Sequence, residues 1–556
     1  MLRDTVLINA CVQLGLLSPE LVTEVQRSAR RERKELLTAL AFANRMPISA
    51  FYRAYAGLHR LPFISGKAIQ PSPELLRKLP QSLIERRLML PLASDENDRI
   101  RLVVADPEDH AGIQQVKRIL GQTIDIYLAA PKELTHIIQR VTLRSAPQSE
   151  SSLKDNSGAA DNIFDPVQTL DDIFDEAYLL RSSDIHIEPL KESVQIRIRV
   201  DGRLQDYPRN FTPEEGLSLM SRLKVLASMD ISEQRMPQDG SLTHTVDNGV
   251  EFDTRIATLP TRFGERATIR LLGSDGDALS LQQIGMSIDD LTRFREAIVK
   301  PHGMILITGP TGSGKSTTLY SALQEIATDD INILTAEDPV EYVMEGISQV
   351  HVSGKVSFAD ALRSFLRHDP DVIMVGEIRD GETASIAMKA SMTGHLVFST
   401  LHTNSAIAAV SRLADLGAES YLIGSTLLSV IAQRLIRRLC PNCKHPKQAS
   451  TSELQQLGLS QDTTLYEAKG CANCMDSGYK GRLALFETLW IDNDMAALIS
   501  QGADESTLQK EAKHFFSLRQ DGIAKALQGL TSIEELDRLA LLPLPRTAEQ
   551  LDDTLA

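Results

Sequence analysis

The segment Gly309-Pro310-Thr311-Gly312-Ser313-Gly314-Lys315-Ser316-Thr317 meets every specified position of the phosphate-loop pattern G-x-x-x-x-G-K-[ST]. It follows the apolar run Met304-Ile305-Leu306-Ile307-Thr308. It precedes Thr318-Leu319-Tyr320-Ser321-Ala322-Leu323, whose spacing is helical. Strand, glycine loop and helix in that order form the context the pattern requires. Glycine lets the backbone curl around an anion without a Cβ clash. Successive amides and a helix N-terminus then point at the phosphates. Lys315 adds a charge near the β- and γ-phosphates, and the Ser316 hydroxyl can hold Mg²⁺. The chain is therefore expected to bind and hydrolyse ATP.

The chain has 556 residues, enough for about three or four domains. Its net charge of −15 disfavours a broad nucleic-acid-binding surface, which needs a basic field. No apolar stretch approaches the ~20 residues that span a bilayer. The start, with Arg3, Asp4, Asn9 and Gln13, does not read as a signal peptide. The expected location is the cytoplasm, with only peripheral membrane association through protein partners.

Residues 1–60 show helical periodicity and read as an N-terminal regulatory or docking region. Residues 61–144 read as a small α/β domain, with strands over Arg99–Val104 and Ile124–Leu128 and a helix over Asp109–Leu120. The polar run 145–163 reads as a flexible linker. An α+β domain is expected over 164–275. It opens with a helix over Asp165–Leu180, and Val194–Val200 alternates apolar and polar residues so that its arginines share one face. Asp201-Gly202 marks a hairpin. Residues 280–495 read as a doubly wound α/β domain and 496–556 as a helical tail, with Thr531-Ser532-Ile533-Glu534 as a capping box for its last helix.

Three further stretches add chemistry. Thr335-Ala336-Glu337-Asp338-Pro339-Val340-Glu341 follows an apolar run, so its carboxylates sit at a strand's C-terminal end, where parallel sheets bind ligands. Glu337 and Glu341 can organise Mg²⁺ and water there; an acidic turn without catalytic role is the alternative. Asp369 to Asp380 resembles a Walker B strand, but the place of the usual Asp is Gly376 and the acid is Glu377. Glu377 is therefore the choice for polarising the attacking water. His395 and His402 flank a strand-like run and read as a γ-phosphate sensor or a subunit contact. Arginines neutralise charge on a transferring phosphoryl group. Arg255 and Arg270 in the preceding domain, and Arg363, Arg367 and Arg379 near the site, are candidates, with surface ion pairs as the ordinary alternative.

Of five cysteines, Cys11 stands alone. Cys440/Cys443 and Cys471/Cys474 form two Cys-x-x-Cys pairs 27 residues apart. That pattern points to a structural Cys₄ Zn²⁺ site, in a subdomain over 438–482, rather than a redox pair.

Taken together, the chain resembles the ATPases that power type II secretion and type IV pilus assembly. The resemblance covers about 160–540. It rests on Ser183-Asp184-Ile185-His186-Ile187-Glu188-Pro189, Arg199-Val200-Asp201-Gly202, Gln234 to Gly240, Thr258-Leu259-Pro260-Thr261, Gly264-Glu265-Arg266 and the motifs above. The phosphate loop and the three further stretches look like the family's Walker A, Asp box, Walker B and His box, and the cysteine pairs look like its zinc subdomain, typical of extension motors. The resemblance implies a RecA-like P-loop ATPase domain, a preceding α+β domain on a short hinge, a zinc-binding insertion, and a helical plus small α/β N-terminal region. It implies a homo-hexamer acting on an inner-membrane platform protein and docked to a membrane recruiter. Arg255 and Arg270 match arginines that close over the phosphates; Arg363, Arg367 and Arg379 match others at the site or subunit contact. The first 140 residues look like a degenerate regulatory domain. At the expected Arg-Leu-Gly positions stand Val6-Leu7-Ile8 and Glu35-Leu36-Leu37, so cyclic di-GMP is not expected as a ligand. A nucleic-acid motor of the same superfamily is the alternative function.

Overall fold

The computed structural model describes residues 1–94, 99–121, 123–145, 164–246, 249–272, 279–459 and 463–541. The linker expected over 145–163 lies outside them, apart from Ser145 at the end of a helix. Two compact units form: residues 1–274 with 470–477, and residues 275–469 with 478–556.

The first unit begins with four helices, α1 (Asp4–Gln13), α2 (Pro19–Glu32), α3 (Leu36–Ala43) and α4 (Ile48–Leu58). Leu7, Leu17, Leu40, Phe51 and Ala54 bury together as their core. A three-stranded sheet follows, β1 (Met89–Ser94), β2 (Ile100–Val104) and β3 (Ile124–Leu128), with β1 antiparallel and β3 parallel to β2. The helix His110–Leu120 connects β2 to β3, and the Asp109 carboxylate caps it by accepting from Gly112 N.

The α+β part holds a six-stranded sheet of β4 (Ser182–Pro189), β5 (Val194–Val200), β6 (Arg203–Phe211), β7 (Gln238–Thr245), β8 (Glu251–Thr261) and β9 (Gly264–Leu272), in spatial order β6-β5-β4-β9-β8-β7. Asp201 and Gly202 both take positive φ between β5 and β6, as a tight hairpin turn demands. Period-two alternation sorts the faces. Ile185, Ile187, Ile196, Ile198, Ile256 and Ile269 bury in a core shared with Ile173, Phe174, Leu219 and Leu223 of the helices Pro166–Leu179 and Pro213–Leu226. The opposite face carries Asp184, His186, Glu188 and the arginines.

The second unit is built on a seven-stranded sheet. Its strands are β10 (Gly303–Thr308), β11 (Ile333–Glu337), β12 (Ser348–His351), β13 (Val372–Val375), β14 (Leu396–Leu401), β15 (Leu427–Leu439) and β18 (Tyr479–Trp490), ordered β12-β11-β13-β14-β10-β15-β18. All neighbours are parallel except β15 and β18. Every residue of β10, β11, β13 and β14 is buried, as strands covered on both faces require. A two-stranded sheet, β16 (His445–Gln448) with β17 (Thr464–Glu467), lies between β15 and β18 in sequence.

One local expectation is corrected. The last helix, Ile533–Arg538, starts at Ser532 without a side-chain cap. Thr531 Oγ1 instead donates to Arg437 O (2.9 Å), and Ser532 Oγ bonds the Tyr479 hydroxyl (2.7 Å). The helix is held by a buried ion pair: Arg437 Nε and Nη2 donate to Glu535 Oε1 at 2.9 and 2.6 Å.

Candidate functional site

Parallel strands place their C-terminal ends along one edge, and the loops there define the site. β10 ends at Thr308 and runs through Gly309 into the phosphate loop, and the helix Lys315–Ile326 opens directly behind Gly314. Gly309, Gly312 and Gly314 take φ of +150°, +76° and +87°. A Cβ on Gly309 would stand 2.5 Å from Gln433 O, and one on Gly314 2.8 Å from Gln433 Nε2. Neither position tolerates a side chain. Lys315 Nζ donates to Gly309 O (2.9 Å) and Pro310 O (3.3 Å). Burial holds the Lys315 ammonium below its ordinary pKa, against the opposing pull of Glu377. Ser313 Oγ is buried with no hydrogen-bond partner among the described residues. A loop of open amides, an orphaned hydroxyl and a half-buried cation is the donor set a triphosphate fits.

β11 brings the acidic stretch to the same edge, and its two glutamates part ways. Glu337 is buried: Tyr320 Oη donates to one carboxylate oxygen, and Thr335 Oγ1 (2.6 Å) and Gln349 Nε2 (3.0 Å) donate to the other. Its carboxylate is fully engaged by protein donors, which suits it to hold the loop rather than to meet a metal. Glu341 is exposed, and Ser316 Oγ donates to its Oε1 at 2.9 Å. The Glu341 amide donates to Tyr320 Oη at 3.2 Å, so Tyr320 ties the two glutamates together.

β13 ends at Val375. Gly376 N donates to Ala336 O (2.8 Å), and a Cβ on Gly376 would come within 3.2 Å of that oxygen. A side chain at Gly376 would have to push that oxygen aside by a few tenths of an ångström. Glu377 follows, paired with Arg379 and with His402 Nε2 at 3.4 Å. Arg379 also reaches Asp338 Oδ2 at 3.5 Å.

The structure separates the two histidines. His402 follows the C-terminal end of β14 on the nucleotide edge. His395 precedes its N-terminal end, where its carbonyl accepts from Gly303 N (3.2 Å) and its Nδ1 faces Ala390 O (2.9 Å). Six strand residues at ~3.3 Å each keep His395 about 20 Å from that edge. Arg363 pairs with Glu382 and with Asp360 (3.3 Å), and Arg367 donates to Arg363 O (2.8 Å); both are exposed on the last turn of the helix Phe358–Phe365 and just beyond it. Arg255 and Arg270 belong to the first unit, opposite one another on β8 and β9.

Sequence reasoning missed the residues that β15 contributes. β15 runs parallel to β10 and continues past its end, Thr308 pairing with Ala432. Gln433 is buried under the loop, accepting from Thr318 Oγ1 at 2.9 Å. Arg434 donates to Asn404 Oδ1 at 2.9 Å. Thr403 and Thr308 share a 2.6 Å hydroxyl contact that ties the loop after β14 to β10.

The four cysteine sulfurs Cys440, Cys443, Cys471 and Cys474 lie within 4.8 Å of one another. Cys471 Sγ and Cys474 Sγ are 3.8 Å apart, close to the edge of a tetrahedron with ~2.3 Å metal–sulfur bonds. The donor set and spacing are compatible with zinc.

Comparison with known proteins agrees with this geometry. Residues 162–538 match the family described as type II/IV secretion system protein. The chain belongs to that family. It is an ATPase, using a nucleoside triphosphate with Mg²⁺. Among relatives of this secretion-family ATPase, the type II secretion system protein E of Dickeya dadantii is 40% identical over 492 residues, covering 84% of this chain and 98% of the relative. The type IV pilus assembly ATPase PilB of Myxococcus xanthus is 37% identical over 552 residues, covering 94% and 97%. The Legionella pneumophila ATPase DotB aligns with a TM-score of 0.51 at 25% identity, covering 69% of this chain and 97% of DotB. Residues 59–148 match the MshEN domain. Val6-Leu7-Ile8 and Glu35-Leu36-Leu37 lie outside that stretch. Among the described residues, no helix is long and apolar enough to cross a membrane.

Proposed function

We propose that the chain is a homo-hexameric cytoplasmic motor that couples ATP hydrolysis to assembly of a type IV pilus or a type II secretion pseudopilus. It works on an inner-membrane platform protein, docks to a membrane recruiter, and meets the membrane only through them. The observation that supports this most is one sheet edge carrying Lys315, Ser316 with Glu341, and Glu377 with His402, in a chain that aligns almost end to end with relatives named for those two machines. The nucleic-acid alternative is not supported by those relatives, and the −15 charge opposes it.

In this reading the amides of Gly309–Thr317 and Lys315 bind the phosphates, and Ser316 with Glu341 holds Mg²⁺. Glu377 accepts the proton of the attacking water once Arg379 releases it, and His402 orients that carboxylate. Glu337 holds the strand end. Arg255 and Arg270 close over the triphosphate. Arg363 and Arg367 serve the subunit contact, and His395 fixes the start of β14. Cys440, Cys443, Cys471 and Cys474 would hold Zn²⁺, whose four thiolates leave no open position and confine it to a structural role.

Glu377→Gln tests the site and the function together. Hydrolysis should fall about 100-fold or more while ATP binding persists, as expected for loss of a general base. Piliation or secretion should be lost in cells carrying the variant. Normal hydrolysis and normal secretion or piliation with Glu377→Gln would overturn the proposal.

A further inference from the structure

His402 stands at the head of the four-residue loop 402–405, which joins β14 to the helix Ala406–Asp415. Its imidazole is exposed and meets Glu377 Oε2 at 3.4 Å. The rest of the loop is pinned from three neighbouring strands. Thr403 N donates to Thr308 Oγ1 of β10 at 2.9 Å. Arg434 Nη2 of β15 donates to Asn404 Oδ1 at 2.9 Å. Ala406 N, just past the loop, donates to Glu487 Oε1 of β18 at 2.8 Å. All of these residues belong to the second unit.

Glu487 is a carboxylate left only 7% exposed. Its second oxygen accepts from Leu518 N at 3.4 Å, at the start of the helix Leu518–Leu527. It thus faces two helix N-termini, whose free amides and positive dipole ends favour a negative charge. Ala432 pairs with Glu487 and Arg434 with Leu485, so Arg434 stands diagonally across from Glu487 on one face of the sheet. Burial raises the Glu487 pKa, against the pull of the two amides and the Arg434 charge. Gln433, between Ala432 and Arg434, turns to the other face and serves the phosphate loop. Each helix already has its own side-chain cap. Ser405 Oγ accepts from Ala408 N (3.1 Å), and Ser517 Oγ accepts from Gln520 N (3.3 Å). A buried carboxylate is costly to keep unless it is well partnered. What this one adds to the caps is a fixed span between β18, β15 and the loop that carries His402.

We propose that Glu487 is a positioning residue for ATP hydrolysis. Directly through Ala406 N, and through Arg434 on Asn404, it fixes the loop 402–405 so that His402 meets Glu377. Leu518 N steadies the carboxylate from the other side. This rests on the proposed pairing of His402 with the Glu377 base. It extends that pairing to a buried residue two strands away from β10 in the sheet. Displacing a catalytic group by about 1 Å can cost roughly 100-fold in rate, so the span matters.

The test is a mutant cycle on the full-length ATPase, reading hydrolysis, affinity for a fluorescent ADP, and melting temperature. Glu487→Gln keeps the shape but offers one oxygen to two amides, so one anchor is lost. It should lower kcat about tenfold and leave ADP affinity within about twofold, because Gln433 supports the phosphate loop from the opposite face. His402→Ala should lower kcat about 100-fold, and in that background Glu487→Gln should cost no further factor. Ser517→Ala removes a cap from the helix Leu518–Leu527 and leaves the loop alone. It should lower the melting temperature but keep kcat within about twofold, as a merely structural Glu487 would also do. Should Glu487→Gln fail to fold, Glu487→Asp keeps the charge, shortens the reach and is read the same way, with an expected loss of about threefold. The inference is overturned if the Glu487 variant keeps wild-type kcat, costs the same factor in the His402→Ala background, or loses no more kcat than Ser517→Ala. If His402→Ala hydrolyses ATP normally, the His402 reading under the proposed function falls and the inference with it; if His402→Ala is impaired while the cycle is additive, only the role of Glu487 falls.

Discussion

Tyr320→Phe isolates the joint between the buried and the exposed glutamate of the nucleotide edge. Phenylalanine fills the same volume, and the edge-on packing against Tyr342, with ring centroids 4.5 Å apart, is kept. Only the hydroxyl is lost. It donates to Glu337 and accepts from Glu341 N. Burial and the Glu337 bond push its pKa far above the ordinary value, so it stays a donor at any working pH. A hydrogen bond to a buried carboxylate contributes about 1.5–3 kcal/mol, and an orphaned amide costs roughly 1 more. The sum is about 3 kcal/mol, or a fall of roughly 6–10 °C in the melting temperature of a domain this size. The functional effect is narrower. Glu341 loses its backbone anchor, so the hydrogen bond it accepts from Ser316 loosens, and with it the Mg²⁺ site proposed for that pair. The Mg²⁺ concentration for half-maximal hydrolysis should rise about tenfold, equivalent to ~1.4 kcal/mol, with nucleotide affinity at saturating Mg²⁺ little changed. Calorimetry and a Mg²⁺ titration of hydrolysis measure both. A melting temperature within about 1 °C of wild type, with an unchanged Mg²⁺ titration, would show that Tyr320 does not hold this edge.

Two other perturbations reach different parts of the chain. Burial, reinforced by Glu133, raises the Glu176 carboxyl to about 7 from 4.5. The folded state binds that proton more tightly, so its stabilising effect is complete below pH ~4.5, declines as pH rises, and is gone above ~7. Glu176→Gln should therefore stabilise the first unit by about 3 kcal/mol at pH 8 and hardly at all at pH 4.5; equal shifts in melting temperature at both values would refute this. The purified chain should carry about one zinc per protomer by metal analysis, and Cys440→Ser should lose it and raise hydrogen exchange near Leu439 and Tyr479, which pair across β15 and β18. Full zinc content in Cys440→Ser would remove these four thiols as the site.

Much of this edge was legible because its signals are local. The phosphate loop is one continuous segment, and its glycines are required by positive φ and, at Gly309 and Gly314, by close contacts as well. Glu377 could be read because it is the first carboxylate after the buried run Val372–Val375. His402 could have been chosen over His395 from strand direction alone, since only the C-terminal end of a parallel strand meets the ligand. Other features needed the fold. Gln433 lies more than a hundred residues beyond the loop it supports, and no motif marks it. Glu337 and Glu341 look equivalent as letters, but β11 buries one and releases the other. The capping pattern at Thr531–Glu534 failed because its hydroxyls found better partners on β15 and β18. Local propensity yields where a tertiary acceptor competes for the same donor.

β15 carries Gln433 beneath the phosphate loop and leads into Cys440, seven residues on. The strand stays extended over that length, and its ladder with β18 holds it through a single irregularity between Arg437 and Leu439. A reagent that strips metal from the thiols would thus behave as a remote poison of nucleotide handling, slowing turnover without competing for the ATP pocket.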